Sequence, residues 1–519
     1  MSNASHSLSA SSDPLFPREQ RLASLVLAFV LFLPWLLNPS WGPSPIVLQT
    51  ALSAAAALVW FVLPPAQRGD MAGAVALSWL AGACVNAAIA IAQYFGGVQD
   101  SSLFMSAANY GEAYGNLRQR NQAATLFALG LAAAFYLVAR CRGLARAGLA
   151  YVGLGLAVAL LSAACALTSS RTGLLQWLIL GGLAVLAPWV WGADRRWRLW
   201  GLLALGSYLL ALLVLPALAQ WWTGQSPTTL MGRMATDLGC VSRKVLWRNA
   251  LTLIAQHPWA GWGLGEMDYA HHVTLYPGER FCLIVDNAHN LFLQIAVELG
   301  LPVTALLAAA MAWGVWKGRP WAERAPARLL AWAGLGAVML HSQVEYPLWY
   351  GPFELACLLA LSLLLVTRSA QAPSLASFPR TRLALGGLVL AMLAYGVWDY
   401  HRVSQLYLHE LARSPDYRHD TLSKVRGSWL FADQVAFAEF TTAPLSEANA
   451  AAMAELGERV MHYSPEPQVA QKLVEALHLA GQDDRATWHD MRLRVAFPQE
   501  YAAWRREAST PSQPAASAP

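Results

Sequence analysis

Apolar residues in this chain run in long blocks separated by short polar connections. The blocks fall near 22–37, 45–63, 71–94, 122–139, 148–168, 173–191, 199–219, 290–316, 329–345, 351–367 and 383–400. Many approach the roughly 20 residues that a helix needs to cross a bilayer. Hydrocarbon offers backbone groups no water, so such blocks span as helices. The pattern predicts eleven spans in an all-α polytopic membrane protein. Two longer stretches interrupt it, at about 220–289 and at 401–510. In the second, apolar positions recur at helical spacing in Asn449–His462 and Gln468–Leu479, and Ser464–Pro465 between them predicts a helical hairpin. The Ser/Pro/Ala-rich tail 511–519 is expected to be disordered. The expected division is 1–21 before the first span, 22–219 with seven spans, the loop 220–289, 290–400 with four spans, the helical segment 401–510, and the tail.

Composition removes the soluble alternative. Hydrophobic residues make up 56% of the chain and charged residues 13%, whereas a soluble domain carries about 25% charge. The 23 Trp suit the two membrane–water interfaces. A net charge of +5 without a basic stripe gives no reason to expect nucleic acid as a partner.

Charge then orients the spans. Arg18 and Arg21, Arg68, the run Arg140–Arg146, the run Arg195–Arg198, the connection 317–328 and the connection 368–382 alternate with short loops, 38–44 and 342–350, that carry no Lys or Arg. The positive-inside rule puts the first set in the cytosol, the C-terminus outside, and both long polar segments outside. Leu22–Leu37 reads as a retained helix rather than a signal peptide.

Against that frame some cations are on the wrong side. Arg118 and Arg120 sit where the chain re-enters the membrane, Arg171 sits in a four-residue turn, and Arg233, Arg243, Lys244, Arg248 and Arg280 sit in the long loop. Misplaced charge at membrane depth usually has a partner. Arginine's planar fork suits phosphate; the alternatives are a local carboxylate or lipid headgroups. His289, in Asp286-Asn-Ala-His-Asn290, can exchange a proton near neutral pH or cap a helix. His341, Glu345 and Tyr346 bracket the turn before Pro347, which is expected to end the helix there. Cys240 and Cys282 share the external loop, either as a disulfide or as two thiols. His271, His272, Glu279, Asp286 and His289 lack the tight spacings of zinc ligands, and Gly261-Trp-Gly-Leu-Gly265 lacks the Lys-Ser/Thr of a P-loop, so neither a metal nor a cofactor is expected.

Taken together, these segments resemble the bacterial pilin-type protein O-oligosaccharyltransferases (PglL-like), within the O-antigen ligase and polymerase superfamily. Arg118-Gln-Arg-Asn-Gln122 resembles that family's Arg-Gln-Pro-Asn-Gln element, with Arg120 in place of the usual Pro. Ser170-Arg-Thr-Gly173, Arg243-Lys-Val-Leu-Trp247, His257-Pro-Trp-Ala-Gly-Trp-Gly-Leu-Gly265, Asn287-Ala-His-Asn-Leu-Phe-Leu-Gln294 and Glu345-Tyr-Pro-Leu-Trp-Tyr350 follow in the family's order. The resemblance covers roughly 20–400, and 401–510 is similar to the branch's extra domain. It implies a GT-C-like glycosyltransferase fold in the bacterial inner membrane, with the loop, the active site and the C-terminal segment in the periplasm. It implies metal-independent, inverting transfer of a whole glycan from undecaprenyl pyrophosphate to a Ser or Thr of a pilin-like or other periplasmic protein. Its site would comprise His289, Tyr346 and Arg243 as catalytic residues. Arg118, Arg171, Arg243 and Gln122 would bind pyrophosphate, with Asn287, Asn290, His341 and Glu345 in support. His289 would act as base or as a phosphate ligand. An O-antigen ligase, a glycan polymerase or a transporter are the alternatives.

Overall fold

The computed structural model describes residues 18–37, 43–44, 46–63, 70–141, 147–235, 239–366 and 379–509. Arg68, Arg142, Arg146, Arg368, most of the loop 38–44 and the tail 511–519, on which parts of the topology reading rest, lie outside the described residues. Every regular element among the described residues is helical. In chain order they are α1 (Arg18–Leu36), α2 (Ile46–Val62), α3 (Met71–Tyr94), α4 (Arg120–Arg140), α5 (Ala147–Leu167), α6 (Arg171–Val190), α7 (Arg196–Thr223), α8 (Leu230–Ala235), α9 (Arg243–Gln256), α10 (Met267–Val273), α11 (Leu291–Gly318), α12 (Pro326–His341), α13 (Gly351–Val366), α14 (Pro379–Ser404), α15 (Thr421–Val425), α16 (Ala432–Thr442), α17 (Ala450–Tyr463), α18 (Pro467–Leu479), α19 (Asp483–Ala496) and α20 (Pro498–Ser509).

Each apolar block corresponds to one of α1–α7 or α11–α14. By length and composition α3, α4, α5, α6, α7, α11 and α14 can cross a membrane, while α1, α2 and α13 are shorter apolar helices. The chain is an all-helical polytopic membrane protein. α4 is its axis: most of its length is buried, from Gln122 to Val138, against α3, α5, α6 and α12. Small residues permit that close approach, for a side chain on Gly130 would collide with Ala83 of α3. The block read as 329–345 stops being helical at His341, because Pro347 ends the run and 342–346 turns back on itself.

α11 is broken near its start. Gly300 takes φ 81° and ψ 171°, a conformation all but reserved for glycine, and Pro302 follows. The segment 257–263 fills the break. Trp262 and Gly263 donate to the carbonyls of Val297 and Glu298 at 2.8 and 3.0 Å, and Leu301 donates to the carbonyl of Pro258 at 2.8 Å. The backbones approach so closely that a side chain on Gly261 would meet Glu298, and one on Gly300 would meet Trp259.

Alternation of the spans puts the connections at two ends. One end carries Arg140, Arg195, Arg196, Arg198, Lys317 and Arg319. The other carries the turns before α4, α6 and α13, the loop 224–290 and the segment after α14. The two long polar pieces meet there. His462 of α17 stacks on Tyr269 at 3.8 Å between centroids and bonds Glu266 at 2.7 Å. Arg492 of α19 donates to the carbonyl of Val273 at 3.0 Å. α17 and α18 form the expected hairpin, and α16 and α19 complete a core around Phe440, Met461 and Leu473. Asp399 is fully buried near the end of α14, where it accepts from Ser428 at 2.8 Å and ties the bundle to this helical unit.

Candidate active site

Three helices open with an arginine at this end: Arg120 in α4, Arg171 in α6 and Arg243 in α9. The dipole at a helix start favours negative charge, so cations there disfavour the helix and enrich a site for anions. Two of these starts, those of α6 and α9, are nevertheless side-chain capped, while Gln119 ahead of α4 makes no such cap. Ser170 accepts from the Gly173 amide at 3.0 Å, and Ser242 caps α9. Asn290 accepts from the amides of Phe292 and Leu293 at 3.0 Å, fixing the start of α11.

Glu345 stands where these ends converge. Only 5% of its side chain is exposed. It accepts from His289 Nδ1 at 2.8 Å, Gln119 Nε2 at 2.9 Å and Asn121 Nδ2 at 3.2 Å, and it pairs with Arg243. Asn121 in turn accepts from Ser170 at 2.6 Å, joining the starts of α4 and α6. Burial opposes ionisation of Glu345, but the His289 hydrogen bond and the charge of Arg243 outweigh it and hold the carboxyl well below the usual range, at about 2. An ionised carboxylate only accepts, so His289 Nδ1 carries the proton. Nε2 has no partner among the described residues.

The backbone around His289 is specified locally. Its φ of 51° is left-handed. Asn287 accepts from the His289 amide at 2.7 Å, Gln294 accepts from Ala288 at 2.7 Å, and Trp247 of α9 donates to the Ala288 carbonyl at 3.0 Å. Asn290 donates to the Gln343 carbonyl at 3.0 Å, which locks this loop to the turn bearing Glu345. Tyr346 meets the His289 ring edge-on at 5.0 Å and stacks with Tyr350 at 6.1 Å.

The structure thus brings His289, Arg243, Glu345 and Tyr346 together, with Asn287 and Asn290 shaping the loop. Arg171 is exposed beside Ser170 and makes no ion pair among the described residues. Arg118 is exposed in a left-handed turn and is bonded to none of these groups. Gln122 and His341 are elsewhere. Gln122 is buried on α4 beside Tyr350, and His341 is buried in the bundle, where its Nδ1 meets the Thr125 hydroxyl at 3.0 Å. Arg120 pairs with Glu112, so the residue that departs from the resembled motif has a local partner. Cys240 and Cys282 form a disulfide that closes the loop just ahead of Arg243. Arg280 is turned away, onto the Tyr276 ring and the Thr274 carbonyl. Both nitrogens of His271 are engaged, by Tyr276 at 2.8 Å and the Phe281 carbonyl at 3.0 Å.

Arg233 is the member that sequence reasoning left as one loop cation among several. It donates to the Ser169 carbonyl at 2.9 Å. Burial, then the charges of Arg120, Arg171 and Arg243, push its guanidinium below the ordinary value, with Glu345 opposing. Its only sequence signal was a cation in an apolar six-residue helix, α8. Gln119 and Asn121 lay within the quoted motif, yet nothing in the sequence pointed them at Glu345. Together the groups place an imidazole, with one nitrogen unpartnered among the described residues, beside a concentration of positive charge.

Three families match the chain. One described as O-antigen ligase matches residues 156–308, spanning Arg171, Arg243 and His289. One described as protein glycosylation ligase matches residues 113–138, spanning Gln119 and Asn121. One described as virulence factor membrane-bound polymerase, C-terminal, matches residues 329–511, spanning Glu345 and Tyr346. No curated protein matched.

Proposed function

Because this chain belongs to the superfamily of O-antigen ligases and protein glycosylation ligases, we propose that it transfers an oligosaccharide en bloc from undecaprenyl pyrophosphate to a Ser or Thr hydroxyl of a pilin-like or other periplasmic protein. The family assignment makes it a membrane-embedded glycosyl-transferring enzyme with a lipid-linked donor and a protein or lipid acceptor. The protein acceptor, the inner membrane and the periplasmic site are this reading's own.

The observation that carries it is the His289–Glu345–Arg243 constellation amid arginine-headed helix starts. The acceptor hydroxyl oxygen attacks the anomeric carbon, and the bond from that carbon to the pyrophosphate oxygen breaks. His289 Nε2 takes the hydroxyl proton, and Glu345 stabilises the imidazolium that forms. The electron pair leaves with the pyrophosphate, whose charge is met by Arg171, Arg233 and Arg243. One direct displacement inverts the anomeric centre, and no step requires a metal. The Tyr346 ring packs on His289 and limits its rotation.

The test is the intact mass of a pilin-like acceptor co-expressed with this chain and a lipid-linked glycan pathway. A glycan-sized gain that disappears with His289→Ala supports the reading. Glycan on lipid A core, in keeping with the O-antigen ligase match over 156–308, moves the acceptor to lipid. Glycan found only as longer polymer makes the chain a polymerase.

A further inference from the structure

At the end of the bundle opposite Glu345, α4, α5 and α7 leave a cleft of about 640 Å³ between them. Val138, Tyr151, Gly155, Trp197 and Trp200 wall it, and Arg196 stands at its rim. Glycine keeps it open: a Cβ on Gly148 would meet nothing within 4 Å, and one on Gly155 would first meet Leu203 at 3.8 Å. The aromatic walls are fixed from behind. Trp197 packs edge-on to Phe135 at 5.7 Å, and Tyr151 and Trp200 lie 6.2 Å apart.

Positive charge stands at the rim. Arg196 is exposed, and its guanidinium makes no hydrogen bond or ion pair among the described residues. The nearest acid in sequence, Asp194, accepts instead from the Arg196 backbone amide at 2.9 Å. Arg195 is also exposed, and Arg198 lies over Trp189 at 5.0 Å.

We propose that this cleft binds an anionic glycerophospholipid, with an acyl chain along the Tyr151–Trp200 wall and the phosphate on Arg196. The walls belong to helices long and apolar enough to sit in hydrocarbon. A peptide placed there would leave backbone groups unsatisfied, whereas an acyl chain has none. A zwitterionic lipid brings a cation along with its phosphate, whereas an anionic headgroup offers Arg196 a net counter-charge. The site is separate from the reaction centre and does not depend on which acceptor the enzyme uses.

The test is native mass spectrometry of the full chain released from vesicles of equimolar phosphatidylglycerol and phosphatidylcholine. The parent is expected to retain phosphatidylglycerol preferentially. Arg196→Gln is expected to lower that retention about fivefold, and Gly155→Leu, which fills the slot, to abolish it. Arg324→Gln, at the same end but outside the cleft, is expected to leave it unchanged. Equal retention of both lipids overturns the proposal. So does parent-like retention by Arg196→Gln, which decides the matter even if Gly155→Leu fails to fold. An equal loss in Arg324→Gln overturns it as well, by assigning the preference to general surface charge.

Discussion

Glu345 receives four side chains at once, and each depends on its remaining an acceptor. Glu345→Gln introduces an NH2 group that cannot accept from both His289 and Arg243, so the Nδ1–H tautomer is no longer enforced. Initial rates of glycan transfer in reconstituted vesicles are expected to fall about 100-fold or more. The carboxyl is depressed, so its contribution is complete above its unfolded value of about 4.3 and is lost only as pH falls toward about 2. The melting difference between parent and Glu345→Gln is therefore expected to shrink as pH is lowered from about 4 toward about 2. Asp268 of α10 has the opposite sign. Burial raises its carboxyl to about 7, so ionisation in the folded state costs stability, increasingly from pH ~4 and fully above pH ~7. Asp268→Asn keeps an acceptor for the Tyr269 amide, which now bonds Asp268 at 2.7 Å. It is expected to melt higher than the parent at pH 8, by on the order of 2 kcal/mol, with the gap closing at pH 4. His289 and Arg243 were legible in the sequence because each was anomalous where it stood. The centrality of Glu345 was not, because a lone acid in an aromatic turn looks alike whether four donors surround it or none.

At the scale of elements, the broken start of α11 and the segment 257–263 form one unit. Gly300→Ala must adopt a backbone that costs about 1–3 kcal/mol for a side-chain-bearing residue, and its methyl group must also displace Trp259. Lowered thermal stability together with loss of transfer is the expected outcome, since Leu291 and Asn290 at the head of the same helix hold the Glu345 turn through Ser342 and Gln343. The spans could be read because hydrocarbon permits little besides a helix over twenty apolar residues. The break was not read, because Leu299-Gly-Leu301 keeps the block apolar, although Gly300 and Pro302 are themselves helix-breaking residues; the docking of Pro258 and Gly263 then makes the interruption favourable. The hairpin of α17 and α18 was legible from its helical periodicity. The docking of this helical unit through His462 of α17 and Arg492 of α19 was not, since the residues they meet lie about two hundred positions earlier.

At the scale of the whole molecule, the cations divide between two ends with different purposes. If the basic end faces the cytosol, cysteine placed at Arg195 is expected to react with a membrane-impermeant maleimide only after permeabilisation, and cysteine at Glu447 in intact spheroplasts. The reverse pattern inverts the topology. At the other end the imbalance is local to the Glu345 cluster. Glu112 is committed to Arg120, and Glu345 to Arg243 and His289, so Arg171 and Arg233 make no ion pair among the described residues. On the proposed function, a donor pyrophosphate would supply the counter-charge that Arg171 and Arg233 lack among the described residues. Inorganic pyrophosphate alone is expected to raise the melting temperature, approaching about 2.7 kcal/mol at a hundredfold excess over its Kd, with much of the gain absent in Arg171→Gln. If the proposed reaction holds, the group that leaves is also the group the arginines hold, and slow release of the spent carrier is the expected consequence.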